Sequence, residues 1–138
     1  FLAFIAMIDY LLALIRPGLS MSAVMAIFFS PVAALIGVPG TDVPFIADLL
    51  GTKLVTNEMV SYVKLNGEYS GVISDRGHVL ATYALTGFAN LGSIGVLLGG
   101  IGGMAPGRRA DLARLSSKAL LGGFMATLIN ASIAALLL

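Results

Sequence analysis

The chain has 138 residues, 58% of them hydrophobic and only 11% charged, with no cysteine. Soluble domains carry about a quarter charged residues, and one of this length leaves too much surface exposed to hide so much apolar area, so the composition points to membrane-embedded helices. The formal net charge of +1, without a basic patch interleaved with aromatics, gives no case for a nucleic-acid partner, and the missing cysteines exclude a disulfide, a thiolate metal site and a thiol nucleophile.

Mean hydropathy is +0.99. The 17 glycines fit the same picture, because small residues let membrane helices approach closely. No basic n-region precedes the first apolar run, which therefore does not read as a signal peptide. A first residue other than Met and abrupt apolar ends are those expected of a piece of a longer protein, although a processed natural terminus has the same look.

Residues 1–17 are apolar except for Asp9 and Tyr10 and close on Arg16-Pro17-Gly18. They are expected to form a transmembrane helix, slightly short of the ~20 residues a full span needs. Intramembrane acids face the bundle interior, so Asp9 is read first as a packing partner and second as part of a solute path. Residues 19–41 are apolar around Pro31, which removes a backbone donor and crowds the preceding turn. A kinked helix is expected there, spanning the bilayer or lying at its interface.

Residues 42–66 divide into two short runs about Thr56-Asn57-Glu58. At ~1.5 Å per residue neither run crosses a ~30 Å core, so the expectation is a re-entrant helical hairpin with this polar tip. Irregular backbone at membrane depth is tolerated only where protein or a water-filled cavity covers it. Residues 66–77 read as a loop from their glycine, asparagine, serine and charge.

Residues 78–103 are expected to be a transmembrane helix interrupted at Ala89-Asn90-Leu91-Gly92, with Asn90 closing its first half in a left-handed conformation and Ser93 capping the second. Gly95, Gly99 and Gly103 recur every four residues and read as a packing ridge. After Pro106-Gly107, residues 110–138 form the last transmembrane helix. Arg108, Arg109, Arg114 and Lys118 cluster at its start, which the positive-inside rule places in the cytoplasm. The C-terminus then lies outside, and the hairpin enters from the outer face. No internal repeat is visible.

Two polar interruptions in short apolar segments are the sequence pointer to a transporter binding site. At the first, Thr56 or Asn57 can cap the following helix while Glu58 sits at its positive end, an arrangement that would be unremarkable in water. In a membrane a carboxylate is costly and is kept where it lines a cavity or meets a ligand. Ionised Glu58 offers two acceptor oxygens that match a vicinal diol such as that of ribose, through charge-assisted hydrogen bonds. Asn90 and Ser93 add neutral donors and acceptors at the second interruption. Phe88 either stacks on a planar ring or packs in the core.

The residues here resemble a family. Gly51-Thr52-Lys53-Leu54-Val55-Thr56-Asn57-Glu58-Met59-Val60 is similar to the G-x-K-x-x-x-N-E-F-V signature of concentrative nucleoside transporters. Ala81 to Gly95, ATYALTGFANLGSIG, resembles their A-T-Y-A-L-C-G-F-A-N-x-S-S-I-G, and Ala105-Pro106-Gly107-Arg108-Arg109 their basic A-P-x-R-R turn. The likeness covers nearly the whole chain and corresponds to the C-terminal half of the family. It departs at Met59 for Phe, Thr86 for Cys and Gly92 for the first Ser, the last of which loosens the interruption and bears on solute orientation.

The resemblance implies an all-α, multi-pass protein of the plasma membrane (the inner membrane in bacteria) that takes up nucleosides with sodium or protons and assembles as a homotrimer. It implies ribose contacts from Glu58, Asn90 and Ser93, with Phe88 lining the pocket. The nucleobase contacts and the sodium site would lie upstream, so residues 1–138 would supply the ribose half of the site and would not transport alone. The competing expectation is a membrane piece with a structural or assembly role, whose polar interruptions only cap helices. An enzyme is not expected: the only histidine, His78, has no metal-ligand partner at helical spacing.

Overall fold

A computed structural model describes residues 1–138 as seven α-helices and one 3-10 turn, without strands. Helix α1 covers Leu2–Ile15, α2 Met21–Ile36, α3 Val43–Val55, α4 Glu58–Asn66, α5 Asp75–Leu85, α6 Leu91–Met104 and α7 Arg109–Leu137, the turn at Pro106–Arg108 leading into α7. The chain is an all-α protein of the expected class.

Local chemistry sets several of these ends. The Ser20 hydroxyl accepts from Ala23 N at 3.0 Å to start α2, and Gly37 closes it in the left-handed region at φ 97°. Asp9 belongs to the same device. Its Oδ1 accepts from Met21 N at 2.8 Å, satisfying a donor at the start of α2 that has no partner within the helix, so the packing reading of Asp9 holds. Helix α2 runs continuously through Pro31.

The core is built on α3. Helix α2 lies along it, α4 folds back against it, and α5 packs on both α3 and α7. Ile46, Ala47, Leu49 and Leu50 of α3 are fully enclosed among Ala33, Leu65, Leu80, Ala84, Leu85 and Ala131. Phe29 stacks on Phe124 with ring centroids 5.1 Å apart, joining α2 to α7. Close approach of α2 and α3 requires Gly51: a Cβ there would stand 2.6 Å from Ser22 O.

Large side chains cover the outside. Phe4, Met7, Leu11 and Leu14 of α1, Ile27, Phe28 and Leu35 of α2, and Leu121, Met125, Ile129 and Ile133 of α7 are all exposed. A continuous apolar exterior of this kind suits lipid or protein, not water. The helical stretch from Pro106 to Leu137, 32 residues with an 18-residue window of mean hydropathy 1.9, is the one long and apolar enough to cross a membrane alone; α1, α2 and α6 are apolar but shorter.

Two expectations are corrected. The segment expected to be a loop to residue 77 becomes helical at Asp75, because Ser74 caps α5 by accepting from Gly77 N at 3.1 Å. Gly95, Gly99 and Gly103 form no packing ridge within the chain, since a Cβ at any of them meets nothing within 4 Å; it is Gly102 that lies under the Arg109 side chain.

The hairpin formed by α3 and α4 has its open end near the start of α5, where Asp42 Oδ2 accepts from the Ser74 amide and hydroxyl. Arg76, two residues further on, donates to Ala135 O at 2.8 Å. The open end of the hairpin and the C-terminal end of α7 therefore lie on one side of the molecule. Arg108, Arg109 and Arg114 stand at the opposite end of α7.

Candidate functional site

The polar tip and the helix interruption meet. Helix α3 stops at Val55, Thr56 leaves helical geometry, and Asn57 starts α4 by accepting from Val60 N at 2.9 Å. Asn57, not Thr56, is thus the cap, and Glu58 is the first residue of α4. Across the gap, the Asn90 amide nitrogen donates to Glu58 Oε2 at 3.0 Å. This bond carries a half-buried carboxylate to the start of a second helix, so Glu58 sits between the positive ends of α4 and α6.

The interruption differs from the expected geometry. Asn90 is extended, at φ −143°, and caps α6 itself; Ser93 occupies the third helical position and completes a reciprocal capping box. Asn90 Oδ1 accepts from Ser93 N at 2.8 Å and Ser93 Oγ accepts from Asn90 N at 3.3 Å. The left-handed residue of the interruption is Gly87, at φ 83°, two residues after α5 ends at Leu85. An asparagine at a helix break satisfies either role, so residue type alone could not decide between closing one helix and opening the next.

Hydrogen-bonding capacity remains. Ser93 Oγ also donates to Asn90 O at 2.6 Å, leaving one acceptor lone pair on a hydroxyl that is only 5% exposed as a residue. Asn90 keeps its second amide proton, and Glu58 keeps Oε1 without a protein partner. Phe88 is exposed, at 67%, on the same side. Together with Thr56, Asn57, Asn90, Ser93 and Gly92 it borders a cavity of about 230 Å³. A larger hollow of about 470 Å³, beside Tyr83 and Asn130, includes neither Asn57 nor Asn90, and Glu58 lines neither of the two hollows.

Thr127 has no place in the reading of the sequence, and Lys53 enters it only as a member of the quoted signature, without a role. Lys53, in the last turn of α3, is completely enclosed, and its ammonium donates to Ala84 O at 3.0 Å, Thr86 O at 2.7 Å and Thr127 Oγ1 at 3.1 Å. The signal available was a lone cation within an apolar run. Nothing in the sequence tied it to Thr127, which is 74 residues away.

An all-helical bundle in which a hairpin tip and a helix interruption bring helix ends together around an acid fits a membrane-transport class, in which half-helix termini serve solute and ions. Residues 1–135 match the family model described as the Na+ dependent nucleoside transporter C-terminus. The chain is 43% identical over 117 residues to an uncharacterized transporter, YutK, of Bacillus subtilis, covering 85% of this chain and 29% of that protein. It is 40% identical over 134 residues to sodium/nucleoside cotransporter 1 of Mus musculus, covering 87% of the chain and 21% of that protein. The inward-facing, substrate-bound structure of CNTnw superposes with a TM-score of 0.84 at 42% identity, over 98% of this chain and 33% of that one. The chain belongs to the sodium-dependent (concentrative) nucleoside transporter family, in its C-terminal region. That is a family of transporters and not of enzymes. The chain spans a third or less of the length of these relatives.

Proposed function

We propose that this chain supplies the ribose-contacting half of the substrate site in a cation-coupled nucleoside uptake protein. Glu58 accepts hydrogen bonds from the ribose hydroxyls, Asn90 and Ser93 contribute a donor and an acceptor beside them, and Phe88 lines the pocket. The observation that carries this reading is the 3.0 Å bond between Asn90 and Glu58, which joins two polar interruptions that are 32 residues apart. Capping alone requires each interruption to be satisfied locally; it does not require them to touch.

The protein on this reading is multi-pass in the plasma membrane, the inner membrane in bacteria, and works as a homotrimer when full-length. The hairpin is re-entrant. The side shared by its open end and the C-terminus of α7, opposite the arginines, supports entry from the outer face. Sodium or protons drive uptake, and the coupling-ion site lies in parts of the protein outside these residues. The names of the mammalian relatives favour sodium.

The structural reading is favoured by one set of contacts, since Asn57, Asn90 and Ser93 all satisfy helix-terminal amides. Glu58→Gln in the full-length parent separates the two. A charge-assisted bond is about twice as strong as a neutral one, so the transport reading expects uridine uptake to fall at least about tenfold with normal membrane insertion. Unchanged uptake would leave the structural role.

A further inference from the structure

Lys53 is a buried cation with a complete coordination shell and no acid in it. Its ammonium carries three protons, and the three oxygens of Ala84, Thr86 and Thr127 take one each. The Phe124 ring covers a further side, its centroid 5.1 Å from Nζ. The ion pairs of the chain involve Lys64, Arg108 and Arg114, never Lys53.

Two of the three oxygens have a common origin, and the third is the Thr127 hydroxyl of α7. Helix α5 ends at Leu85, so the last carbonyls before the interruption lose their intrahelical partners and form the negative end of the helix. Unwound carbonyls at half-helix ends, with a hydroxyl and an aromatic face, are a donor set for a small monovalent cation. We propose that Ala84 O, Thr86 O and Thr127 Oγ1 form a monovalent-cation site whose resident occupant is the Lys53 ammonium. The tethered charge joins α3 to the end of α5 and to α7. Removing it leaves an oxygen cage of one ammonium's size, which small primary ammonium ions can enter.

The test needs no transport measurement, so it stands or falls apart from the nucleoside reading. Full-length protein carrying Lys53→Ala is purified in choline chloride and melted with added ethylammonium chloride, equimolar extra choline chloride or ethanol. The expected result is a Tm several degrees below wild type, at least half recovered with ethylammonium and not with the other two, while wild type responds to none. Lys53→Met, which keeps the stem's bulk without its charge, melts low and is likewise unmoved by choline or ethanol. Equal responses to ethylammonium and choline, or a Lys53→Met protein that melts with wild type, overturn the proposal. Should Lys53→Ala fail to accumulate, Thr127→Val and Thr127→Ser carry the test. The valine protein melts below the serine protein if the hydroxyl is a ligand, and equal melting overturns it.

Discussion

The Asn90 amide reaches across 3.0 Å to Glu58 Oε2, and in doing so ties the first residue of α4 to the cap of α6. Each residue also serves its own helix: Glu58 lies at the positive end of α4, and Asn90 holds Ser93 N. The pair converts two local helix starts into one polar surface beside the cavity that Phe88 borders. The site is a crossing of helix ends, and its behaviour under substitution follows from separating the capping contacts from the contact between the hairpin tip and the interruption.

Replacement of Asn90 makes that separation. Serine is a good N-cap but carries no amide to reach Glu58, whereas alanine provides neither. Asn90→Ser and Asn90→Ala should therefore lose nucleoside uptake to the same degree, while the alanine protein is less stable by about 1 kcal/mol. Uptake assays in proteoliposomes with parallel thermal melts check both halves. Wild-type uptake by Asn90→Ser would show that the link to Glu58 has no part in transport.

The packing of α2 on α3 depends on a single missing Cβ. Gly51→Ala would place a methyl group 2.6 Å from Ser22 O, which is backbone and cannot swing away. The helices must separate, at a cost of about 1–3 kcal/mol. Thermal melts of the variant read this directly, and an unchanged Tm would contradict the close approach.

At the interruption, Gly87 has φ 83°, and an added Cβ would lie 2.9 Å from Thr127 Cγ2. The left-handed conformation costs a residue with a Cβ about 1–2 kcal/mol, before the clash is counted. Gly87→Ala should destabilise by at least that amount and lower uptake. Gly95→Ala, whose Cβ meets nothing within 4 Å of this chain, is the comparison.

In the segment between α4 and α5, Tyr69 donates to Asp48 Oδ2 at 2.8 Å, and Asp48 also pairs with Lys64 at 2.6 Å. Burial first, and then the bond to Asp48, raises the phenol pKa above its ordinary value of 10.0. A group raised on folding contributes stability that is fully present below its unfolded pKa and lost as pH rises through the folded one. Tyr69→Phe should therefore cost about 1 kcal/mol near neutral pH, and the gap to wild type should close only at pH well above about 10. Denaturation at neutral and strongly alkaline pH checks it; a gap independent of pH would contradict the bond.

The sequence revealed the helical class, the two polar interruptions and Glu58 because a charge within an apolar run is costly and therefore visible. Their meeting is implied by the family resemblance alone and not by residue pattern, since it depends on how α3 and α5 pack through Leu49, Leu80 and Ala84. Asn90 departs from its expected role because a short amide suits both a left-handed helix end and an N-cap, and only backbone geometry separates the two. The role of Lys53 is hidden for a similar reason, although the residue stands in the family signature. Its partners are two carbonyls created by the interruption and a hydroxyl from the far end of the chain, none of which has a spacing that a pattern could carry.

The central claim is that the Glu58 carboxylate grips the sugar diol, and competition by sugar-modified nucleosides tests it most directly. In the full-length protein, uridine should outcompete 2′,3′-dideoxyuridine by at least about tenfold, since a carboxylate left without its two hydroxyl partners forfeits more than ~1.4 kcal/mol. With Glu58→Gln that preference should shrink towards unity, uridine losing affinity while the dideoxy compound hardly changes. A preference that survives Glu58→Gln intact would contradict the claim.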